Sequence, residues 1–348
     1  MMRVLIVVSL MIVSVGADSL AKDVTVVDRW HDALSKHVAD AGAWLDEKLY
    51  RLLGGDLPER HRAKRTSLQT IRERDDIFFQ TRKYLEETSR TYIRLRGDLI
   101  QEEGGRATSK FRVRAHLPLD RTRRRLRLFF EDIDNDNADR LIKKSPETFS
   151  STQASRNEPK FGLNYFAPRA WGIDAKYSLG LSGLHPYVRA RYGKQFPLRD
   201  WIVEPVQHFE YSEKYDFSEG TSLYFDTKPY KSVLLRFELH RGTRAHEKGM
   251  NYSGGVILAR MMGTRSGVRY MMNFSGNTEY TYTPAGNTDR TRYTAPNAYT
   301  AAFGFRRTIG RRWLYLEATP AVNFRRDNGF HPDYSIRLLL DLLVGNDQ

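Results

Sequence analysis

Arginine recurs two residues apart at Arg94/Arg96, Arg112/Arg114, Arg125/Arg127 and Arg189/Arg191, and Lys160 and Lys176 stand in similar surroundings. In an extended chain, residues two apart project from one face, so each pair sets two cations side by side. A guanidinium is planar, always charged and offers five donors, which suits multidentate pairing with carboxylates and other anions. Acidic residues on the same kind of face are few at first (Asp98, Glu131, Asp174) and gather later at Glu204, Glu210, Asp226, Glu238, Glu317 and Asp341. Two arrangements follow. A basic wall could face a more acidic one across an open channel, orienting ions and favouring anions. Alternatively, bases and acids lock together and fill the space between them.

Other chemistry is thinner. His116, His208 and His240 fall on polar faces, and Ser178, Ser222 and Ser275 are available as hydroxyls. A hydrolase needs its nucleophile within hydrogen-bond reach of a base, and no stretch sets a serine beside a histidine. There is no HExxH, GxSxG or phosphate-cradling glycine loop, so no catalytic residue is assigned and enzymatic activity is left undecided. The stretch Glu131–Asn137 is acidic but lacks the glycine and terminal glutamate of an EF-hand loop. Neither a metal site nor a cofactor is expected. The chain holds no cysteine, which excludes thiol chemistry, cysteine-ligated metals and anchoring through an acylated cysteine. A net charge of +14 ordinarily suggests nucleic acid. Here the charge is spread along alternating segments, and no nucleic-acid partner is expected.

The elements that position these residues alternate with a period of two from residue 91 onward. In WGIDAKYSLGL (171–181), Trp171, Ile173, Ala175, Tyr177, Leu179 and Leu181 share one face, while Asp174, Lys176 and Ser178 share the other. A half-apolar strand explains this pattern and a helix does not. Fourteen such segments can be marked, the weaker ones at 201–211, 221–226, 252–262 and 299–306. Their connections alternate between short (120–124, 167–170, 197–200, 227–232, 263–267, 307–312) and mostly longer, with 182–185 breaking the rule. Mean hydropathy is −0.58, so the mature chain has no apolar helical span; a membrane barrel needs none, because only alternate residues meet lipid. In a sandwich one face packs inside and the other meets water, and fourteen long strands would need a very large core; the charged faces are better suited to a wet lumen crossed by salt bridges. The fold class expected over 91–345 is therefore all-β, a transmembrane antiparallel β-barrel of about fourteen strands, with twelve as the alternative.

The N-terminal region differs. MMRVLIVVSLMIVSVGADSLA (1–21) has one base, a short apolar run and small residues, the pattern of a signal peptide. Within 22–90, Trp30, Leu34, Val38, Ala41, Leu45, Leu49 and Leu52 recur at helical spacing. Gly54, Gly55 and Pro58 end that helix. It could plug the barrel, pack at the mouth, or meet a partner or the membrane surface. Its mixed charge argues against a helix dedicated to anionic lipid. Residues 56–90 read as a charged linker with a second short helix, in which Phe78, Phe79 and Tyr84 are isolated apolar spots.

This layout resembles Gram-negative outer-membrane β-barrel proteins over residues 91–345. The last strand, with Tyr334, Ile336, Leu338, Leu340, Leu342 and Val344 on one face, resembles the signal read by the barrel assembly machinery. It departs from that pattern in lacking a C-terminal aromatic residue. The resemblance implies a periplasmic location for 22–90, an outer-membrane location for the barrel, and contact with outer-membrane lipid and lipopolysaccharide. A periplasmic partner for helix 27–53 is a further expectation. The expected function is a passive pore or structural barrel with a basic lumen, walled by Arg94, Arg96, Arg112, Arg114, Arg125, Arg127, Lys176, Arg189 and Arg191, with Glu204, Glu238, Glu317 and Asp341 as lumen acids. The alternatives are a membrane enzyme acting on lipid or lipopolysaccharide and a soluble periplasmic all-β binding protein.

Overall fold

The computed structural model describes residues 26–53, 67–79, 92–105, 107–119, 125–131, 159–230, 232–282 and 291–345. The leader expected over 1–21 and the acidic residues after Glu131 lie outside these. Two helices come first, α1 (Val26–Leu53) and α2 (Ser67–Phe79). The strands are β1 (Tyr92–Glu102), β2 (Thr108–Pro118), β3 (Leu126–Glu131), β4 (Lys160–Phe166), β5 (Ile173–Ser182), β6 (His185–Lys194), β7 (Phe196–Leu198), β8 (Trp201–Ser212) and β9 (Asp216–Tyr230). They continue with β10 (Val233–Arg244), β11 (Asn251–Met262), β12 (Ser266–Asn277), β13 (Thr281–Tyr282), β14 (Thr291–Arg292), β15 (Ala298–Thr308), β16 (Leu314–Arg325) and β17 (Pro332–Val344).

Each long strand pairs antiparallel with its neighbours, and β1 pairs with β17 from Ile93↔Val344 to Glu102↔Ser335. The sheet thus closes on itself as a barrel of fourteen strands, leaving no open edge. Short β7 extends the line of β6 along β8, and β13–β14 form a separate ribbon between β12 and β15. The fourteen alternating segments and the fourteen barrel strands are the same segments.

Connections are tight at the end where the chain enters and leaves, here called the near end. There, β11 turns into β12 through residues 263–265, with Gly263 at φ 74, a value L side chains rarely adopt. At the far end, two connections are long (132–159 and 278–297). The others are shorter than expected: β8 and β9 are joined by residues 213–215 alone, against an expected gap of 212–220. Phe217↔Tyr211 and Glu219↔Phe209 continue the ladder there. The polar outward residue Glu219 had masked the alternation.

The wall has mainly apolar residues outside, and charged and polar ones inside except for an apolar patch at the near end. Outward Phe111, Leu179 and Met272 are exposed by 61–66%, whereas inward Arg94, Arg127, Arg306 and Asp341 are buried. Both helices sit at the near end. The α2 helix enters the lumen, where Leu68, Phe78 and Phe79 pack on inward Ile202, Leu234, Ala259 and Met261. Each such burial contributes about 1.5–3 kcal/mol. The α1 helix runs along the rim: Asp28 pairs with Arg311 at 2.5 Å, His31 stacks on Trp313 at 4.4 Å, and Ser35 accepts from the Gly345 backbone N–H at 3.2 Å.

Candidate functional site in the barrel lumen

The densest chemistry lies where the barrel closes. Register puts Asp341 of β17 opposite Arg96 of β1. Its carboxylate accepts from Arg94 Nε at 2.6 Å and Nη2 at 2.5 Å, and from Arg306 Nη2 at 2.7 Å, with Arg96 3.8 Å away. One layer on, Glu317 accepts from Arg269 at 2.7 Å and Arg306 at 3.2 Å. Asp98 is held by both Arg112 and Arg337. All of these side chains are buried. Charges taken out of water need partners and full hydrogen bonding, and the forked guanidinium bridges two carboxylates at once. Bases and acids therefore do not stand as two facing walls. Closure sets β17 beside β1, so Asp341 falls among the bases instead of across from them.

The remaining candidate bases are placed as follows. Arg125 donates to the Phe166 carbonyl at 3.1 Å, and Arg127 lies over the Phe166 ring at 4.5 Å. Arg189 Nε donates to Glu210 at 2.6 Å, which also lies 3.6 Å from Lys160. Lys176 and Arg191 are opposite each other in register and both are buried, while Arg114 is half-buried opposite Arg94. On the last strand, Tyr334, Ile336, Leu338, Leu340 and Leu342 face outward between β16 and β1, and Val344 is buried at the rim.

On the other side of the lumen the partners come from α2. Arg72 donates to Glu204 at 2.6 Å and lies 3.2 Å from Asp226. Asp76 accepts from Arg236 at 2.8 and 3.1 Å, and Arg236 also reaches Asp226 at 2.7 and 3.1 Å. Gln69 donates to Gln195 at 3.1 Å, and the Arg269 guanidinium covers the Phe79 ring at 5.2 Å. Inward Gly267 makes room for this helix: a Cβ there would stand 3.0 Å from both Phe78 and Phe79. Beside Asp76, the Asp75 carboxyl is 1% exposed and 3.7 Å from Arg74 Nε. Burial pushes its pKa up to about 7.

Phe78 and Phe79 thus pack on inward wall residues at the near end and are not isolated spots. The available signal was the spacing of Leu68, Arg72, Asp76 and Phe79, one face of a helix. Two of those four are charged, so a hydrophobic pattern does not mark the face.

Histidine and serine do meet, across strands. His240 Nδ1 lies 2.8 Å from Ser222 Oγ, and its Nε2 is 4.0 Å from Glu238. Ser178 donates to Asn164 at 2.6 Å. His116, His208 and Ser275 are buried on the inward face. The Ser222–His240 contact is set by β9–β10 register, which sequence spacing does not reveal.

No protein-family model matches the chain, and no curated protein matches it by sequence. Solved structures that overlap it are bacterial barrels. A loop-deleted OmpT, an outer membrane protein of Vibrio cholerae, covers 72% of this chain and 97% of its own at 10% identity and a TM-score of 0.42. Pseudomonas aeruginosa OccK2 covers 73% and 97% at 9% identity and 0.39. The KdgM porin, solved with disordered oligogalacturonate, covers 72% and 98% at 7% identity and 0.34. The closed barrel is given by the chain's own hydrogen-bonded register.

Proposed function

We propose that this chain is an outer-membrane β-barrel whose lumen is a passive pore held shut by α2. The observation that carries the reading is the wall's polarity. Exposed apolar side chains surround the cylinder while charged side chains are buried within it, the reverse of a protein whose outside meets water. The near end, with its tight connections and both helices, corresponds to the periplasmic side. Among the described residues, buried bases outnumber buried acids, an excess that with α2 displaced would favour anions.

Planar-bilayer recording tests this. The full chain is expected to be nearly silent, and removal of residues 23–90 to give discrete, anion-preferring current steps. Arg72→Ala with Asp76→Ala in the full chain should give intermittent steps. Silence from a folded, plug-deleted barrel would leave a structural barrel and exclude a pore. Extraction of the protein from membranes by carbonate would exclude the membrane reading altogether.

One contact favours a second reading. His240 sits between Ser222 and Glu238, as a base would between a nucleophile and its orienting acid. Labelling of Ser222 by a fluorophosphonate, lost in His240→Ala, would support an esterase facing the far mouth. An unlabelled Ser222 would reduce the contact to a cross-strand hydrogen bond.

A further inference from the structure

Successive residues of a helix are turned by 100°, and this divides α1 into three faces. Asp28, His31, Ser35, Val38 and Gly42 face the barrel rim, where His31 also hydrogen-bonds the Leu343 carbonyl at 2.9 Å. A second face carries Trp30, Ala33, His37, Ala41 and Trp44, all exposed, with the two tryptophans at 55% and 60%. The third is polar: Arg29, Asp32, Lys36, Asp40 and Glu47.

The seat of α1 is the outer side of the wall. Its Gly42 lies against Leu117, which faces outward with Phe111, Val113 and Ala115 on β2. Val344, outward by register, and Leu119, which continues the β2 alternation, are buried at this rim. Outward Leu340 and Phe111, further from the near end, are exposed. At the same level, outward Lys194, Arg260 and Arg307 close the near ends of β6, β11 and β15, where basic side chains would meet phosphate oxygens.

We infer that α1 is an interfacial helix: its Trp30–Trp44 face lies in the phospholipid headgroup layer around the near end of the barrel. This rests on the membrane reading above. Indole rings favour that layer because one edge is apolar and the N–H needs a polar partner. Continuity with the outward apolar wall puts lipid, and not water, beside this face. The mixed charge of the third face suits a zwitterionic surface, with no net attraction required. At 28 residues α1 is about 42 Å long, enough to lie along several strands of the rim.

The chain has no cysteine, so single nitroxide labels can be placed without further changes. Full-length Ala33→Cys, Ala41→Cys, Lys36→Cys and Leu179→Cys proteins would be labelled and reconstituted in phosphatidylethanolamine–phosphatidylcholine vesicles. Collision rates with oxygen and with a water-soluble nickel chelate would then be compared. Labels at 33 and 41 should show an oxygen-to-chelate ratio several-fold above the label at 36 and below the mid-wall label at 179. If 179 is chelate-shielded while 41 matches 36, the inference is overturned and the membrane reading survives. If 179 is itself open to chelate, the membrane reading fails first. Spin–spin broadening at 41 would show a second copy on this face, and chelate shielding with low oxygen would show a protein partner; either overturns the inference.

Discussion

The lumen neutralises its charge in two ways, on opposite sides. From β12 through β17 to β2 the wall supplies both signs, and Asp341, Glu317 and Asp98 are each held by two or more arginines from nearby strands. From β8 to β10 the wall holds Asp226 against Arg236, and α2 adds Arg72, which meets Glu204 and Asp226, and Asp76, which meets Arg236. The first network spans the closure seam, where Arg94–Asp341 and Asp98–Arg337 join β1 to β17. The second sits on an element that contributes no strand. Similar ion pairs thus join strands to one another in one region and, in the other, join the wall to a helix that the proposed function makes a removable stopper.

Removing one partner tests each. Asp341→Ala leaves Arg94 and Arg306 buried without their shared carboxylate, a change that costs about 3–5 kcal/mol. The expected outcome is a large fall in the urea midpoint of the heat-modifiable folded form. Asp76→Ala should lower that midpoint far less, because Arg236 keeps Asp226; equal losses would erase the distinction between seam and stopper.

Gly267→Trp should come next in effect. The new side chain takes the space of Phe78 and Phe79, so bilayer recordings should show steady conductance from a barrel of near-normal stability. Unchanged silence would mean that α2 does not close the lumen.

A smaller, graded effect should follow pH. Docked, Asp75 holds its proton to about pH 7, while an exposed aspartate loses it near pH 3.9. Between these values the docked state binds more protons, so docking is strongest below the lower pKa and weakens as pH rises towards 7. Open time should therefore be longer at pH 8 than at pH 5, and Asp75→Asn should flatten the profile. An unaltered profile in that variant would assign the dependence to another group.

The smallest effect is expected at Ser222→Ala. Loss of one half-buried cross-strand hydrogen bond should cost about 1 kcal/mol in the same urea titration, with no change in conductance.

The barrel was legible in the sequence because its strands obey a strict period of two over most of their length. Trp171 to Leu181 and Tyr334 to Val344 announce both faces directly. Strand ends were less legible: near Glu219 both faces are polar and no alternation remains to mark the ladder. The site was legible only by residue type. Arg94, Arg96 and Asp341 could be placed on inward faces, but their mutual pairing depends on closure between residues nearly 250 positions apart. The seat of α2 was hardest to see, because its inward face mixes Arg72 and Asp76 with Leu68 and Phe79, so no continuous apolar stripe marks it.

The route of the chain has a mechanical consequence. Between Leu53, which ends α1, and Ser67, which begins α2, lie only residues 54–66, and between Phe79 and Tyr92 only residues 80–91. Neither stretch can reach beyond about 45 Å, even fully drawn out. A displaced α2 is therefore leashed at both ends and never diluted into its surroundings. Its return competes at an effective concentration of the order of millimolar, whatever the abundance of the protein. Reclosure should be quick, first-order and independent of any other molecule.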